Sequence, residues 1–412
     1  MRYHARTLAG LTACATTLAA FIAVGLHAQA PALRSYHFTQ KDLGTPGEQK
    51  PNPPKVVPQP SDATLVVPDG FVVERYAEGG FTRPRVAEQA PNGDVFVVDT
   101  GASSIVVLRD ANANHRIDEG ERTVFATGLK QPYGLAFFKD HLYVANTDAV
   151  LRYAYTSGQT TASGPPTKIA DLPSSKGGHW TRNIAVSPDG SSFYVTVGSS
   201  SNVDVEPDPL RATVLRFDID GSNRRVVTSG VRNAVGLDFH PQTRELWMTV
   251  QERDGLGDEL VPDYVARVKD GVSHGWPFAY IGQHEDPRHA GARPDVVKAA
   301  VAPEVLIQSH SSILGMAFYD HTAFPAKYRN GAFAALRGSS GRTTRTGYKL
   351  IFLPFENGQP TGGYEDFVVG WMLGEHRPEV WGRPVDVTVL QDGSLLIVED
   401  GNHSLWRVRY GK

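Results

Sequence analysis

Cysteine is almost absent from this 412-residue chain. Cys14 is the only one, so no disulfide can staple the fold from within. No Cys-x-x-Cys-His occurs, which excludes covalently attached haem of the c type. No stretch holds a 3.6-residue apolar period free of Gly and Pro, so long amphipathic helices are excluded as the framework. A basic excess is missing too: 41 Lys and Arg face 44 Asp and Glu, which argues against nucleic acid as a partner. What is abundant is Gly (41) and Pro (28) beside 41% hydrophobic residues, the mixture of many short strands joined by tight turns.

Residues 1–30 read as a secretory leader. Arg2 and Arg6 precede an apolar, acid-free run from Leu8 to Leu26, and Ala28-Gln29-Ala30 fits a small-x-small cleavage site. Cleavage after Ala28 is the alternative, because Pro31 is a poor first residue. Lipidation at Cys14 and an uncleaved membrane anchor are the competing readings. Export without disulfides predicts a periplasmic or secreted domain with no stable membrane insertion after cleavage. Residues 31–62 hold Pro31, Pro46, Pro51, Pro53, Pro54, Pro58 and Pro60 among polar residues, and read as a Pro-rich linker without a core of its own.

From residue 63 to 412 one pattern recurs: an apolar strand, a turn such as Asn92-Gly93 or Asp392-Gly393, a second apolar strand, then a third ending in Arg or Lys. Copies begin at Arg85, Tyr133, Thr181, Val235, Leu314 and Val385. Repeats of this length built from antiparallel strands predict an all-β fold, a six-bladed β-propeller of four-stranded antiparallel blades. Leu65–Val67 and Phe71–Glu74 are expected to complete the last blade and close the ring. An irregular array of β-sandwiches is the alternative.

Two regions stand out chemically. Between Asp110 and Glu121, side-chain oxygens fall at Asp110, Asn112, Asn114, Asp118 and Glu121, with Arg116 able to offer its carbonyl. This is the spacing of an EF-hand Ca²⁺ loop, except that His115 stands where Gly normally makes the sharp turn. The metal-free alternative is an acidic hairpin tip. The second region is the set of loops feeding the inner strands, which a propeller gathers over its central channel. Lys176-Gly-Gly-His179-Trp-Thr-Arg182-Asn183 and Arg232-Asn233 bring a histidine, cations and amides to equivalent places in consecutive blades. Each of these residues alone is more often structural; their convergence carries the functional reading.

Those motifs, with Ser187-Pro188-Asp189-Gly190, Arg253-Asp254-Gly255-Leu256-Gly257-Asp258-Glu259, Gly275-Trp276-Pro277 and Trp381-Gly382-Arg383-Pro384, resemble the soluble quinoprotein glucose/sorbosone dehydrogenases. The likeness runs in order from about Asp69 to Tyr410. It implies pyrroloquinoline quinone (PQQ) and Ca²⁺ over the channel, with His179 as general base and Arg232 beside it as a catalytic cation. By the same resemblance Asn233, Arg337, Arg383 and Arg182 are cofactor-binding, and Arg253, Asp254 and Gly255 supply carbonyls to a catalytic Ca²⁺. It implies a small sugar, an aldose or sorbosone-like aldehyde, as substrate, and a separate electron acceptor such as a cytochrome or quinone. Two departures appear. Gly178 precedes the presumed base where relatives carry Asp, and Arg337-Gly338-Ser339-Ser340-Gly341-Arg342 replaces a His-Gly-Ser-Trp-Asn-Arg type of segment. Gln131 is a further candidate sugar contact. The alternatives are a Ca²⁺-dependent lactonase-like hydrolase and a non-catalytic binding propeller, since this fold hosts many functions.

Overall fold

A computed structural model of the chain describes residues 32–174 and 177–411. The leader reading, the Cys14 reading and Lys176 lie outside these residues. Among the described residues no helix is long and apolar enough to cross a membrane.

The structure is a six-bladed β-propeller, as the repeats imply. The inner strands of blades 1 to 6 are Pro84–Gln89, Gly134–Phe138, Ile184–Val186, Asn233–Phe239, Ile313–Phe318 and Pro384–Val389. Three further strands are hydrogen-bonded outward from each in antiparallel order. Second strands such as Val95–Asp99 and Ala332–Leu336 are buried throughout. They lie between neighbouring blades, which is why their sequences read as continuous apolar runs. The outer strand Thr167–Asp171 meets solvent on most of its length and is correspondingly polar.

Phe71–Ala77 pairs with Ser404–Tyr410 and closes the ring, so the first strand of the domain completes the last blade. Leu65–Val67 does not share that task, contrary to expectation: Val66 instead bridges Val369, beyond the outer strand of blade 5. The segment read as a linker has no core of its own but is docked on the propeller. Ser35–His37 adds a fifth strand to blade 5, with Tyr36 stacked on Tyr364 at 4.7 Å. Residues 47–57 then lie along the top of blades 4, 5 and 6. The amides of Gly47, Asn52, Lys55 and Val57 donate to the carbonyls of Leu256, Ser340, Pro378 and Val380. Proline keeps this segment extended, and the non-proline residues between supply the donors that fasten it to the rim.

The inner strands of blades 1, 4, 5 and 6 each shift register near their first residues. Such bulges re-aim side chains at the end of a strand. Here they turn residues toward the channel mouth.

Candidate active site

The loops before the inner strands and those between second and third strands form one face, the mouth. Gly198 lets two of its residues meet: a Cβ there would fall 2.4 Å from Asn233 Oδ1 and 2.5 Å from His179 Cβ. His179 Nδ1 lies 3.1 Å from the Ser199 carbonyl and 2.9 Å from Ser199 Oγ. A carbonyl only accepts, and the Ser199 hydroxyl donates to Ser201 O at 2.5 Å, so the network assigns the proton to Nδ1. Nε2 is then the basic nitrogen, with no partner among the described residues. Burial, and then the nearby Arg232, lower the His179 pKa to about 3, so the ring is neutral at physiological pH. Gly178 has φ +70°, and a Cβ would meet the Ser200 carbonyl oxygen at 2.3 Å. The departure from Asp at this position therefore has a local cause: the loop that carries His179 is folded too tightly for a side chain there.

Arg232 is buried, with Nε 3.2 Å from Asn202 O and a terminal nitrogen 3.9 Å from Asp254 Oδ2. Asn233 donates to Gln251 Oε1 at 3.3 Å, while its own buried Oδ1 has no hydrogen-bond partner among the described residues.

The other half of the mouth is built on Asp400, whose side chain is 1% exposed. Arg85 approaches it at 3.0 Å, Arg337 at 2.9 Å and Arg383 at 3.8 Å. Burial pushes the Asp400 carboxyl up, but the three guanidinium groups outweigh it and hold the pKa below its ordinary value. Burial lowers Arg85 to about 10, and burial and Arg337 together lower Arg383. Three cations share one carboxylate, and Nε of Arg85 and of Arg383 is buried without a hydrogen-bond partner among the described residues, as is the Tyr133 hydroxyl. Such an arrangement is short of negative charge and of acceptors. Trp180, the neighbour of His179, joins the two halves: its ring lies 5.3 and 5.5 Å from the Arg83 and Arg85 guanidiniums and 5.8 Å from the Tyr133 ring.

Arg182 has a different task from the one expected. Its guanidinium is fully buried and donates to the carbonyls of Pro173, His179 and Thr181, so it braces the His179 loop. The Asp254 carbonyl is likewise engaged within the protein. It already accepts from Arg253 Nε at 3.1 Å and Asn202 Nδ2 at 3.0 Å, while the Gly255 amide donates to Gln49. Arg253 itself is paired with Asp286 at 2.6 Å. Gln131 is exposed on its loop.

The Asp110–Glu121 loop joins the third and fourth strands of blade 1, on the face opposite the mouth. His115 adopts φ +62°, the left-handed turn that Gly usually makes in such loops. Asp110 accepts from the amides of Asn114 and His115, and Glu121 from those of Ala111 and Asp118. Ile117 is buried and its amide donates to Tyr76 O, anchoring the loop to the blade. Among the described residues no group of three or more His, Cys, Asp or Glu side chains is placed to hold a metal, so Asn112, Asn114 and the Arg116 carbonyl would have to complete this site.

Two features were not anticipated. Arg85 and Asp400 organise the anion-seeking half of the mouth, although Arg83-Pro84-Arg85 at the top of blade 1 does echo Arg383-Pro384 at the top of blade 6. At the other end of the channel, Glu88, Asp238 and Asp386 line a cavity of about 330 Å³ among apolar side chains. Burial, first in each case, raises them to about 8, 7 and 8. No Lys or Arg among the described residues pairs with them.

Fold and site together define a propeller with a cationic, histidine-bearing mouth. The chain belongs to the TrAA12-like family, which it matches over residues 65–263 and 286–410. The resemblance read from the motifs thus holds. Of the solved structures, an AA12 carbohydrate-active enzyme of Trichoderma reesei superimposes with a TM-score of 0.73 at 19% identity, covering 87% of this chain and 98% of that one. The holo PQQ domain of a pyranose dehydrogenase from Coprinopsis cinerea gives 0.71 at 20% identity, over 85% and 98%. Among curated sequences, an uncharacterized protein of Borreliella burgdorferi is 28% identical over 85% of this chain and 92% of its own length. An aldose sugar dehydrogenase of Escherichia coli is 27% identical over 26% of this chain and 27% of its own length.

Proposed function

We propose that this protein is a PQQ-dependent oxidoreductase that oxidises a small sugar, an aldose or a sorbosone-like aldehyde. The observation that carries the reading is the group of Arg85, Arg337 and Arg383 around the buried carboxylate of Asp400, on the same mouth as a neutral His179 whose Nε2 has no partner among the described residues. PQQ is a planar tricarboxylate, and guanidinium forks are the natural receptors for carboxylates. Arg383 Nε and the Tyr133 hydroxyl, neither with a hydrogen-bond partner among the described residues, are further polar atoms that such a ligand could satisfy. The related PQQ-bound structures support the same choice.

When bound, the quinone supplies the two-electron acceptor. The chain's own part is acid–base and electrostatic. His179 Nε2 removes the proton from the sugar hydroxyl, held in the productive tautomer by the Nδ1 contact to Ser199 O. Arg232 stands beside it, ready to stabilise negative charge developing at the reacting end, and Asn233 offers an amide there. Lacking a Cys-x-x-Cys-His for covalent haem, the protein hands electrons to a separate acceptor. Ca²⁺ is assigned to the Asp110–Glu121 loop, where it would brace blade 1 far from the chemistry. Export to the periplasm or beyond is part of the same proposal.

The test is to add PQQ to purified protein and follow dye reduction with a panel of aldoses. Stoichiometric binding with turnover supports the reading; no binding removes it.

A further inference from the structure

The segment fastened along the mouth face brings one side chain to the edge of the site. Gln49 Nε2 donates to the Gly341 carbonyl at 2.5 Å and to Asp254 Oδ1 at 3.3 Å, while its Oε1 accepts from the Gly255 amide. Asp254 Oδ1 also faces His310 Nδ1 at 3.0 Å, and the other ring nitrogen of His310 is 2.9 Å from Gly257 O. Its second oxygen, Oδ2, points toward Arg232 at 3.9 Å. The Asp254 side chain is 56% exposed although His310 and Arg232 beside it are buried. Asp254 is thus a half-exposed carboxylate held by hydrogen bonds on one oxygen, while the other makes only the 3.9 Å contact to the cation that flanks His179.

The sequence of the facing loop matches this arrangement. A Cβ at Gly341 would fall 2.4 Å from Gln49 Nε2. Ser340 gives its carbonyl to the Asn52 amide at 2.8 Å. The small residues of Arg337–Arg342, which depart from the bulkier family pattern, are therefore the ones that make room for the strap.

We propose that Gln49 is a substrate-positioning residue: it clamps Asp254 so that the second carboxylate oxygen accepts a sugar hydroxyl beside Arg232. The inference rests on the sugar-dehydrogenase reading. An ionised carboxylate is a strong acceptor for a hydroxyl, and fixing it beforehand lowers the ordering cost of binding.

The test compares Gln49→Ala and Gly341→Ala with the wild-type protein, each loaded with PQQ. The first removes the clamp; the second displaces it from the opposite side of the same contact. Each is expected to raise KM for the oxidised aldose about fivefold to tenfold, with kcat within about twofold. PQQ affinity, read by quenching of tryptophan fluorescence, is expected to stay within about twofold. The double variant should be no worse than either single one, because both break one interaction. A strap that merely tethers the N-terminal segment would lower Tm and leave KM alone. Unchanged KM in both variants overturns the inference while leaving the dehydrogenase reading intact. A wild-type protein that neither binds PQQ nor oxidises any aldose overturns the dehydrogenase reading, and this inference with it. If Gln49→Ala fails to fold, Gly341→Ala carries the comparison.

Discussion

The two ends of the central channel are built from the same six strands, yet their charges are opposite in sign and opposite in how they are compensated. At the mouth, three guanidiniums gather round Asp400, and a neutral His179 sits beside Arg232. At the floor, Glu88, Asp238 and Asp386 face one another with no paired cation among the described residues, and burial keeps Glu88 and Asp386 largely, and Asp238 about half, protonated near neutral pH. Isolated buried charges are costly, and a group can escape that cost by neutralising or by finding a counter-charge. The floor has largely neutralised. Arginine cannot give up its proton at physiological pH, so the mouth keeps its charge and an anion has something to bind.

The largest break in this comparison should come at His179. His179→Ala is expected to lower kcat by about a thousandfold or more while leaving PQQ affinity nearly unchanged, since the base acts only on the reacting proton. Single-turnover kinetics alongside a binding titration would check both halves. Unaltered kcat would take the residue out of its assigned place.

Next is the cationic half. Arg383→Ala is expected to weaken PQQ binding about a hundredfold, through loss of a charge-assisted contact and of net positive charge. Arg85→Met should do the same with an added fall in Tm, because it also uncovers the buried Asp400. Equilibrium titration gives the affinities and calorimetry the melting. Equal affinities in wild type and both variants would separate the arginines from cofactor binding.

The floor should respond to pH and not to the cofactor. Its three carboxyls have folded-state pKa values above those of the unfolded chain. Their contribution to stability is therefore complete below about pH 4, the ordinary carboxyl range, and is lost as pH rises toward 8. Tm is expected to fall between pH 5 and about pH 9 from this source, and Asp386→Asn with Glu88→Gln should flatten the fall without altering PQQ affinity. A pH slope that both substitutions leave unchanged would contradict the assignment.

The smallest effect belongs to the Asp110–Glu121 loop. Millimolar Ca²⁺ is expected to raise Tm by a few degrees, and Asp118→Ala to abolish the rise, with turnover little changed. A chelator that stops turnover at once would place the essential metal elsewhere.

Much of this was legible in the sequence. Buried second strands such as Val95–Asp99 announce themselves as apolar runs, and Asn92-Gly93 and Asp392-Gly393 mark the turns, so blade number followed from counting. His179, Arg232 and Arg383 stood at blade tops, where the periodicity places them at the mouth. What stayed hidden depends on contacts distant in the chain. Arg85 meets Asp400 across the closure of the ring, and a bulge in its strand aims it there. Arg182 looked like Arg232 in its local pattern, but its guanidinium turns back on its own loop. Residues 47–57 carried no alternation to reveal pairing, because prolines fixed them extended and the rim supplied the acceptors.

The most direct measurement is a PQQ titration of the wild-type and Arg383→Ala proteins by fluorescence quenching at two salt concentrations. One equivalent should bind the wild-type protein, more weakly at higher salt, and the variant should require about a hundredfold more PQQ. Equal binding by the two proteins, or none by the wild type, would contradict the cationic mouth as a cofactor site.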